Sequence, residues 1–405
     1  MICVRHLRIR RLPTYLRAAV LASLAFAGAC GKEATSELVS VQPASSAPMS
    51  LSSPNPASPY GVGIPYGDLR RPTSDSALNY AQAMNVGYAR VGIYWADLQP
   101  AGPGPLDPTA IATVRNIVQR LTSRNLIPVL AVSGAPDWAL DNPADTTKNN
   151  YEAGPGASKM EAWRDFFQLL VNDPDLAVVQ YWAVGNEPNV TLFVQSADRL
   201  SIYKSMVQYA AGPIHAAGDK LLGPELIGGW DPTTQLSGGA WFSSVLEEVG
   251  SLIDFVTVHS YHENSSEIEN DMLDFSNRMA NYGSTTNKAL WLTEAATAYA
   301  HPPSWQQRVH LTETLYRMSD RQADGTNPRW KKTFWWSLTS EYENSPAEGH
   351  YDWRGLLSGA GDPAVKTGPV APKQAYYCLQ ALATYGRWGY IPSYCMDQYA
   401  YPGKP

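Results

Sequence analysis

The sequence predicts an α/β protein: one closed (β/α)8 barrel, the TIM barrel, that follows an export signal and a flexible linker. Beyond Pro59, short apolar runs alternate eight times with amphipathic stretches, which indicates a parallel sheet with helical crossovers. Eight such units within residues 60–405 fit a single barrel, since these span roughly 200 to over 400 residues. No Gly-x-Gly-x-x-Gly motif follows the first apolar run, so a dinucleotide-binding sheet is not indicated.

The eight predicted strands are short runs rich in β-branched and aromatic residues. They begin at Tyr60 (YGVGI), Ala89 (ARVGIY), Ile127 (IPVLAV), Ala177 (AVVQYWAV), Lys220 (KLLGP), Asp254 (DFVTVHSY), Ala289 (ALWLTE) and Lys332 (KTFWWS). Helices are predicted between the strands, and a proline in the first turn is a typical start signal. The predicted helices begin near Ser76, Pro108, Ser158, Ala197, Gly239, Ser266, Ser304 and Pro372.

The first 29 residues have the pattern of a secretory signal. Five arginines precede a short apolar segment, residues 18–29, which closes with small residues. Two cleavage sites remain open. The stretch AGAC at 27–30 resembles a bacterial lipobox and predicts that Cys30 is lipidated, whereas AFA at 25–27 fits an ordinary signal peptidase. We therefore expect an exported protein, either a lipoprotein of the cell envelope or a secreted one.

Residues 30–59 are rich in Ser, Pro and Ala and show no hydrophobic period, which predicts a flexible linker before the barrel domain, residues 60–405. Near the other end, Cys378 and Cys395 remain as one pair in a chain bound for an oxidising compartment. We expect them to form a disulfide.

The composition, 44% hydrophobic and 17% charged, is that of an ordinary globular protein with a large core. The net charge is −6, and the predicted signal carries five of the basic residues, so the mature chain is more acidic still. This balance argues against nucleic acid or an anionic membrane surface as a partner. Membrane contact is expected only through the lipid anchor.

Residues just past the carboxyl end of each strand face the mouth of such a barrel, so they are the candidate functional residues. They include Trp95 after strand 2, Trp138 after strand 3, Asn186 and Glu187 after strand 4, His259 and Tyr261 on strand 6, Glu294 on strand 7, and Trp336 on strand 8. Arg90 lies inside strand 2, where a buried charge needs a partner. His and Asp residues do not cluster at the strand ends, so neither a metal nor another cofactor is expected.

Glu187 and Glu294 end strands 4 and 7, which can face each other across a barrel mouth. Two carboxyl groups about 5–5.5 Å apart suit glycoside hydrolysis with retention, in which one acid protonates the leaving oxygen and the other attacks the anomeric carbon. The two need unequal environments, one protonated and one ionised. Arg90 can hold the strand-7 carboxylate ionised, and Asn186 can hydrogen-bond a sugar 2-hydroxyl.

From about Gly61 to Thr384, a series of motifs resembles clan A glycoside hydrolases, in families 39-like or 5-like. WAVGNEPN resembles their strand-4 acid/base motif, LWLTEAA their strand-7 nucleophile motif, VHSYHE their strand-6 His-x-Tyr, FWWS their strand-8 tryptophan and ARVGIYWADLQP their strand-2 arginine. The resemblance implies Glu187 as acid/base and Glu294 as nucleophile. It also implies that Tyr261 hydrogen-bonds the nucleophile and that Trp336 floors the −1 sugar subsite.

Other assignments stay open. Trp336 is chosen over Trp335 by motif register, and a slip of one residue reverses the choice. His259 can instead be a core histidine, and Arg90 a purely structural partner of a buried acid. Trp faces stack on sugar rings, so the candidate platforms are Trp95, Trp138, Trp230 and Trp353.

The leading hypothesis is a retaining O-glycosidase that acts on a β-linked oligosaccharide or polysaccharide. The alternative is a catalytically silent, carbohydrate-binding barrel lipoprotein of the cell envelope. Both make a carbohydrate the partner. The sugar, its linkage and the choice between endo and exo action are left open by the sequence.

Overall fold

The structure is a computed structural model. It describes residues 53–69, 74–141, 154–190, 198–228, 230–231, 236–298, 304–339, 355–358, 371–386 and 391–396. The predicted signal peptide, Cys30, most of the predicted linker, Trp353 and the side chain of Trp230 lie outside what is described. Within these ranges, no helix is both long and apolar enough to cross a membrane.

Eight parallel strands close into a barrel in sequence order, which confirms the predicted fold class. The strands are β1 (Tyr60–Ile64), β2 (Tyr88–Tyr94), β3 (Ile127–Ser133), β4 (Tyr181–Val184), β5 (Lys220–Ile227), β6 (Phe255–His262), β7 (Leu290–Thr297) and β8 (Trp330–Trp335). The barrel closes where β1 pairs with β8, with Tyr60 opposite Thr333. Because all strands run the same way, their carboxyl ends share one mouth.

A long helix follows each strand. The helices are α1 (Ser74–Ala83), α2 (Pro108–Thr122), α3 (Met160–Val171), α4 (Arg199–Ala216), α5 (Gly238–Val249), α6 (Ser265–Ala280), α7 (Ser304–Ala323) and α8 (Gln374–Tyr385). Helix α2 starts where the sequence predicts, since the Asp107 side chain accepts hydrogen bonds from the first-turn amides and Pro108 fills the first position. A capping box between Asn264 and Glu267 begins α6.

Shorter elements connect these pieces. They are the helical turns Tyr66–Leu69 and Trp95–Leu98, the 3-10 turns Asp137–Ala139, Ala157–Lys159, Pro174–Leu176 and Ser393–Met396, and the strand pairs Trp230–Asp231 with Leu236–Ser237 and Leu357–Ser358 with Ala371–Pro372. The predicted disulfide is present, and it joins Cys378 on α8 to Cys395 in the last 3-10 turn.

Two strand boundaries differ from the prediction. Strand β4 begins at Tyr181 rather than Ala177, because the Asp173 side chain caps the 3-10 turn Pro174–Leu176 and Val178 then lies 55% exposed. Strand β5 continues past Pro224 to Ile227. The extension of β5 brings a glutamate, Glu225, into the barrel mouth.

The lower half of the barrel interior is filled by apolar and aromatic side chains. They are Tyr88, Val129, Ala131, Ala183, Leu222, Trp291 and Phe334. Side chains alternate along a strand, so Arg90, two residues beyond Tyr88, and Thr293, two beyond Trp291, point into the same interior one layer higher. The apolar layer therefore forms a floor beneath a polar layer at the mouth.

The sequence predicts that the barrel domain starts at Tyr60. In the structure, the folded region begins earlier. Ser58 is 4% exposed, and its hydroxyl accepts hydrogen bonds from the Gly87 amide at 3.2 Å and the Tyr60 amide at 3.3 Å. The Lys332 ammonium donates to the Pro56 carbonyl at 3.0 Å and to the Ser58 carbonyl at 2.7 Å. These contacts close the amino-terminal end of the barrel.

Replacing Ser58 by Ala is expected to lower the free energy of unfolding by about 1–3 kcal/mol. The buried Tyr60 amide loses its side-chain acceptor, and the Gly87 amide keeps only the Tyr60 carbonyl, at 3.1 Å. The midpoint of urea unfolding measures the change. Ser53→Ala, at an exposed position of the same segment, is the control and should leave the midpoint in place. Equal midpoints for Ser58→Ala and the unaltered protein would show that this segment does not seal the barrel.

Candidate active site

The predicted functional residues of four strands meet at the mouth of the barrel. A further carboxylate, Glu225 on β5, joins them. Side-chain hydrogen bonds connect all seven residues: Arg90, Asn186, Glu187, Glu225, His259, Tyr261 and Glu294. The barrel thus brings into one cluster side chains that lie up to 204 positions apart in the chain.

The carboxylates of Glu187 and Glu294 lie close together and largely out of water. Glu187 is 9% exposed and Glu294 is 6% exposed. One carboxylate oxygen of each and a ring nitrogen of His259 all lie within 4.8 Å of one another. A ligand atom at this point can contact both acids at once.

Glu294 is held by two donors. The Arg90 Nη1 donates to Oε1 at 2.5 Å, and the Tyr261 hydroxyl donates to Oε2. His259 lies opposite Glu294 in the β6–β7 register, with Nδ1 at 3.6 Å from Oε2. These contacts fix the orientation of the Glu294 carboxylate and put positive charge beside it.

Glu187 reaches the mouth through a turn with left-handed backbone. Gly185 has φ +81° and Glu187 has φ +41°, and the Glu187 amide donates to the Glu225 carbonyl at 3.0 Å. Glu225 itself has φ +55°. Left-handed backbone is costly for a residue with a Cβ, and such strain concentrates at functional sites. Two glutamates in this conformation indicate that their side chains are needed there.

His259 is fully buried between carboxylates, so it is not an ordinary core histidine. Its Nδ1 lies 2.9 Å from Glu187 Oε1 and its Nε2 lies 3.2 Å from Glu225 Oε2. Burial lowers the pKa of His259, but the charge of Glu294 and the hydrogen bonds to Glu187 and Glu225 outweigh it and raise the pKa to about 9. The ring is therefore an imidazolium at neutral pH.

Glu225 is a site residue that the sequence interpretation missed. It is fully buried, and its carboxylate accepts hydrogen bonds from Arg90 Nε at 2.9 Å and Thr293 Oγ1 at 2.8 Å. Burial raises the pKa of Glu225, but the charge of Arg90 and the hydrogen bond and charge of His259 hold it well below its usual range. The missed signal was its place at the carboxyl end of β5, since the strand was taken to stop at Pro224.

Arg90 is the centre of the cluster and is 2% exposed. Besides Glu225 and Glu294, it donates through Nη2 to the Asn186 Oδ1 at 2.8 Å. Burial lowers the pKa of Arg90, but the charges of Glu225 and Glu294 raise it further, so the guanidinium stays charged. Because Oδ1 of Asn186 faces Arg90, Nδ2 is the atom that can donate to a ligand.

Trp336, not Trp335, faces the interior. Phe334 lies in the interior floor, and Trp335 is 1% exposed with its ring edge toward His310 of α7. Alternation then turns Trp336 inward, where its ring packs on Gly63 so closely that a Cβ there would lie 2.3 Å from it. The peptide bond from Trp336 to Ser337 is cis.

The prediction that Trp95 is a sugar platform is wrong. Trp95 is 0% exposed, its Nε1 donates to Gln99 Oε1 at 2.7 Å, and its ring stacks on Phe166 of α3. The chain turns into a helical turn directly after β2, which directs this ring outward beneath α3. Trp138 is half-buried, so part of its ring remains accessible. Its Nε1 donates to the Gln99 carbonyl at 2.7 Å.

His262 lies apart from the carboxylate pair. Its Nε2 contacts Asp271 Oδ2 at 2.8 Å, and hydrogen bonding to this carboxylate raises its pKa. The contact anchors the end of β6 to helix α6, which is a structural role.

A metal ion would find three ligand atoms at Glu187, His259 and Glu294. The guanidinium of Arg90 already binds Glu294, however, and His259 is itself cationic. Two fixed positive charges beside the cluster oppose a further cation. Two carboxyl groups beside these cations are instead suited to proton transfer by one acid and attack by the other.

Comparison with known proteins identifies the family and the fold. A family model described as the glycosyl hydrolase catalytic core matches residues 158–362. Similar solved structures include the family 1 β-glucosidase from Thermotoga maritima, at 12% identity with TM-score 0.60, covering 82% of this chain and 98% of that one. No curated protein sequence matches significantly.

Two further structures share the fold. The exo-β-1,4-mannosidase from Opitutaceae bacterium strain TAV5 has 13% identity and TM-score 0.57, covering 80% of this chain and 59% of that one. The family 39 glycoside hydrolase from Bacteroides cellulosilyticus WH2 has 14% identity and TM-score 0.55, covering 80% of this chain and 63% of that one. At these identities the likeness concerns the fold.

Proposed function

Because the chain belongs to the glycosyl hydrolase catalytic core family, as a (β/α)8 glycosidase of clan A, we propose that it hydrolyses a β-linked O-glycoside with retention of configuration. The observation that carries the proposal is the spacing of Glu187 and Glu294, whose oxygens approach within 4.8 Å. Retaining glycosidases place their carboxyl groups about 5–5.5 Å apart, whereas inverting enzymes leave roughly 6.5–9.5 Å for a water.

In the first step, a carboxylate oxygen of Glu294 attacks the anomeric carbon. The bond from that carbon to the leaving oxygen breaks, and Glu187 transfers its proton to the leaving oxygen. Arg90 and Tyr261 support the assignment of Glu294 as nucleophile, because both donate to its carboxylate and hold it in one orientation.

In the second step, Glu187 removes a proton from water, and the water oxygen attacks the anomeric carbon. The ester bond to Glu294 breaks, and both acids return to their starting states. In this proposal Asn186 Nδ2 donates to the sugar 2-hydroxyl, and Trp336 lies beneath the ring at the −1 subsite. The contact of Asn186 Oδ1 with Arg90, which leaves Nδ2 as the donor, supports the first role. The names of the fold neighbours, a β-glucosidase and an exo-β-1,4-mannosidase, favour a β-linkage.

The experiment is hydrolysis of aryl β-glycosides by the chain without its first 30 residues, followed by proton NMR. We expect the β-anomer of the free sugar to appear first and to mutarotate afterwards. If the α-anomer appears first, the enzyme inverts and the proposal is wrong. If glycans bind but no aryl glycoside or polysaccharide is cleaved, the silent binding barrel is the better description.

A further inference from the structure

Glu225 contacts neither proposed sugar-facing acid with its side chain, yet it binds the partners of both. Its Oε2 accepts from Arg90 Nε and Nη2, at 2.9 and 2.5 Å, and lies 3.2 Å from His259 Nε2. Its Oε1 accepts from the Thr293 hydroxyl at 2.8 Å. The carboxylate is therefore fixed at both oxygens.

The two cations bound to Glu225 reach in different directions. Arg90 extends past it to Glu294, while His259 turns its other ring nitrogen, Nδ1, to Glu187 at 2.9 Å. An ionised carboxylate only accepts hydrogen bonds, so Nε2 of His259 must carry its proton toward Glu225. Glu225 thus fixes the ring orientation that aims Nδ1 at Glu187.

Charge gives Glu225 a second role. Arg90 and His259 carry two positive charges, which Glu225 and Glu294 balance when Glu187 holds its proton. After the first step Glu294 is a neutral ester and Glu187 is ionised, so the cluster again holds two charges of each sign. A buried cluster that stays neutral in both states avoids the cost of an uncompensated charge.

We propose that Glu225 is a positioning residue for both steps: it orients Arg90 toward Glu294 and His259 toward Glu187. It also supplies one of the two negative charges that balance these cations, and this charge stays in place while the other passes from Glu294 to Glu187. This inference rests on the proposed function for its catalytic consequence. Its consequence for His259 does not depend on turnover.

The catalytic test is Glu225→Gln, which keeps the shape and removes the charge. We expect kcat on an aryl β-glycoside to fall roughly 100-fold, because small displacements of catalytic groups cost about that much, with KM changed less than about threefold since Glu225 touches no sugar. The matched control is Glu269→Gln. Glu269 is also buried and held by two arginines, Arg317 and Arg321, but between α6 and α7.

The second readout is the titration of His259 by NMR in the ligand-free protein, with the signal assigned by its loss in His259→Gln. We expect the midpoint to fall from about 9 toward the ordinary value of 6.5 in Glu225→Gln and to stay in place in Glu269→Gln. The charged and titratable groups around His259 and Glu225 are Glu187 beyond β4, Glu294 on β7, Arg90 on β2, Tyr261 on β6 and Tyr203 on α4.

A kcat within threefold of the unaltered enzyme, or an unmoved His259 midpoint, overturns the proposal. If Glu225→Gln does not fold, Thr293→Val takes its place, since it removes one hydrogen bond to Glu225 and keeps the side-chain volume. A kcat reduced about tenfold at constant KM supports the proposal there, and an unchanged kcat overturns it. An unaltered protein that cleaves no glycoside refutes the proposed function, while the His259 titration still tests Glu225.

Discussion

Glu294→Gln is expected to lower kcat/KM for aryl β-glycosides roughly 10⁴-fold or more, because the amide cannot form the ester on which double displacement depends. The substitution keeps the side-chain shape and an oxygen that can accept from Arg90 and Tyr261. The fold should therefore persist, and the loss should reflect chemistry. Initial rates of aryl release, with circular dichroism to verify folding, measure the effect.

Glu269→Gln again serves as the control, because it too removes the charge of a buried, arginine-bound carboxylate, but away from the mouth. It is expected to reduce stability and to leave kcat/KM within about threefold. A Glu294→Gln protein that retains more than a tenth of the activity of the unaltered enzyme would refute the assignment of the nucleophile. Added azide should not rescue this variant, since the attacking group itself is gone while the amide still fills its space.

The barrel could be predicted from the sequence because its signal is local and repeated. Each strand is an apolar run and each helix an amphipathic stretch, and eight alternations leave few topologies. The boundaries were less certain where two local signals compete. The run Ala177–Val179 is apolar enough for a strand, but the cap at Asp173 extends the preceding turn and delays β4 to Tyr181.

The site could be predicted as far as strand ends and motif resemblance reach. These led to Arg90, Glu187 and Glu294, which the structure brings together. Glu225 was missed because a proline usually marks the end of a strand, and here β5 passes through Pro224. Glu225 binds Arg90 from 135 positions away, and such pairing has no signature in a single sequence.

Trp95 shows the opposite error. A strand-end rule places it at the mouth, but the helical turn Trp95–Leu98 starts at this residue and carries its ring beneath α3. Whether a residue after a strand points inward depends on the backbone of the loop. Loop conformation is set by tertiary packing, which periodicity does not report.

Glu187→Ala is expected to give a loss that depends on the leaving group, and this dependence identifies an acid catalyst. Glycosides with a poorly acidic leaving group, such as an alkyl alcohol or another sugar, need protonation of the leaving oxygen and should lose roughly 10²–10⁴-fold in kcat/KM. Dinitrophenolate is a leaving group that needs no proton. Dinitrophenyl glycosides should therefore form the glycosyl-enzyme at nearly the rate seen with the unaltered protein. The measurement is kcat/KM across a series of aryl and alkyl β-glycosides.

The same variant should slow the second step, because no base remains to activate water. Azide needs no base and fits the space left by the missing carboxylate, so it is expected to raise kcat on dinitrophenyl substrates and to yield a β-glycosyl azide. Glu247→Ala is the control, because Glu247 is an exposed acid on α5. Its kcat/KM should match that of the unaltered protein for every leaving group, and azide should not raise its kcat. A uniform loss across all leaving groups, with no azide effect, would mean that Glu187 shapes the mouth through its turn and its contact with His259 without supplying the proton.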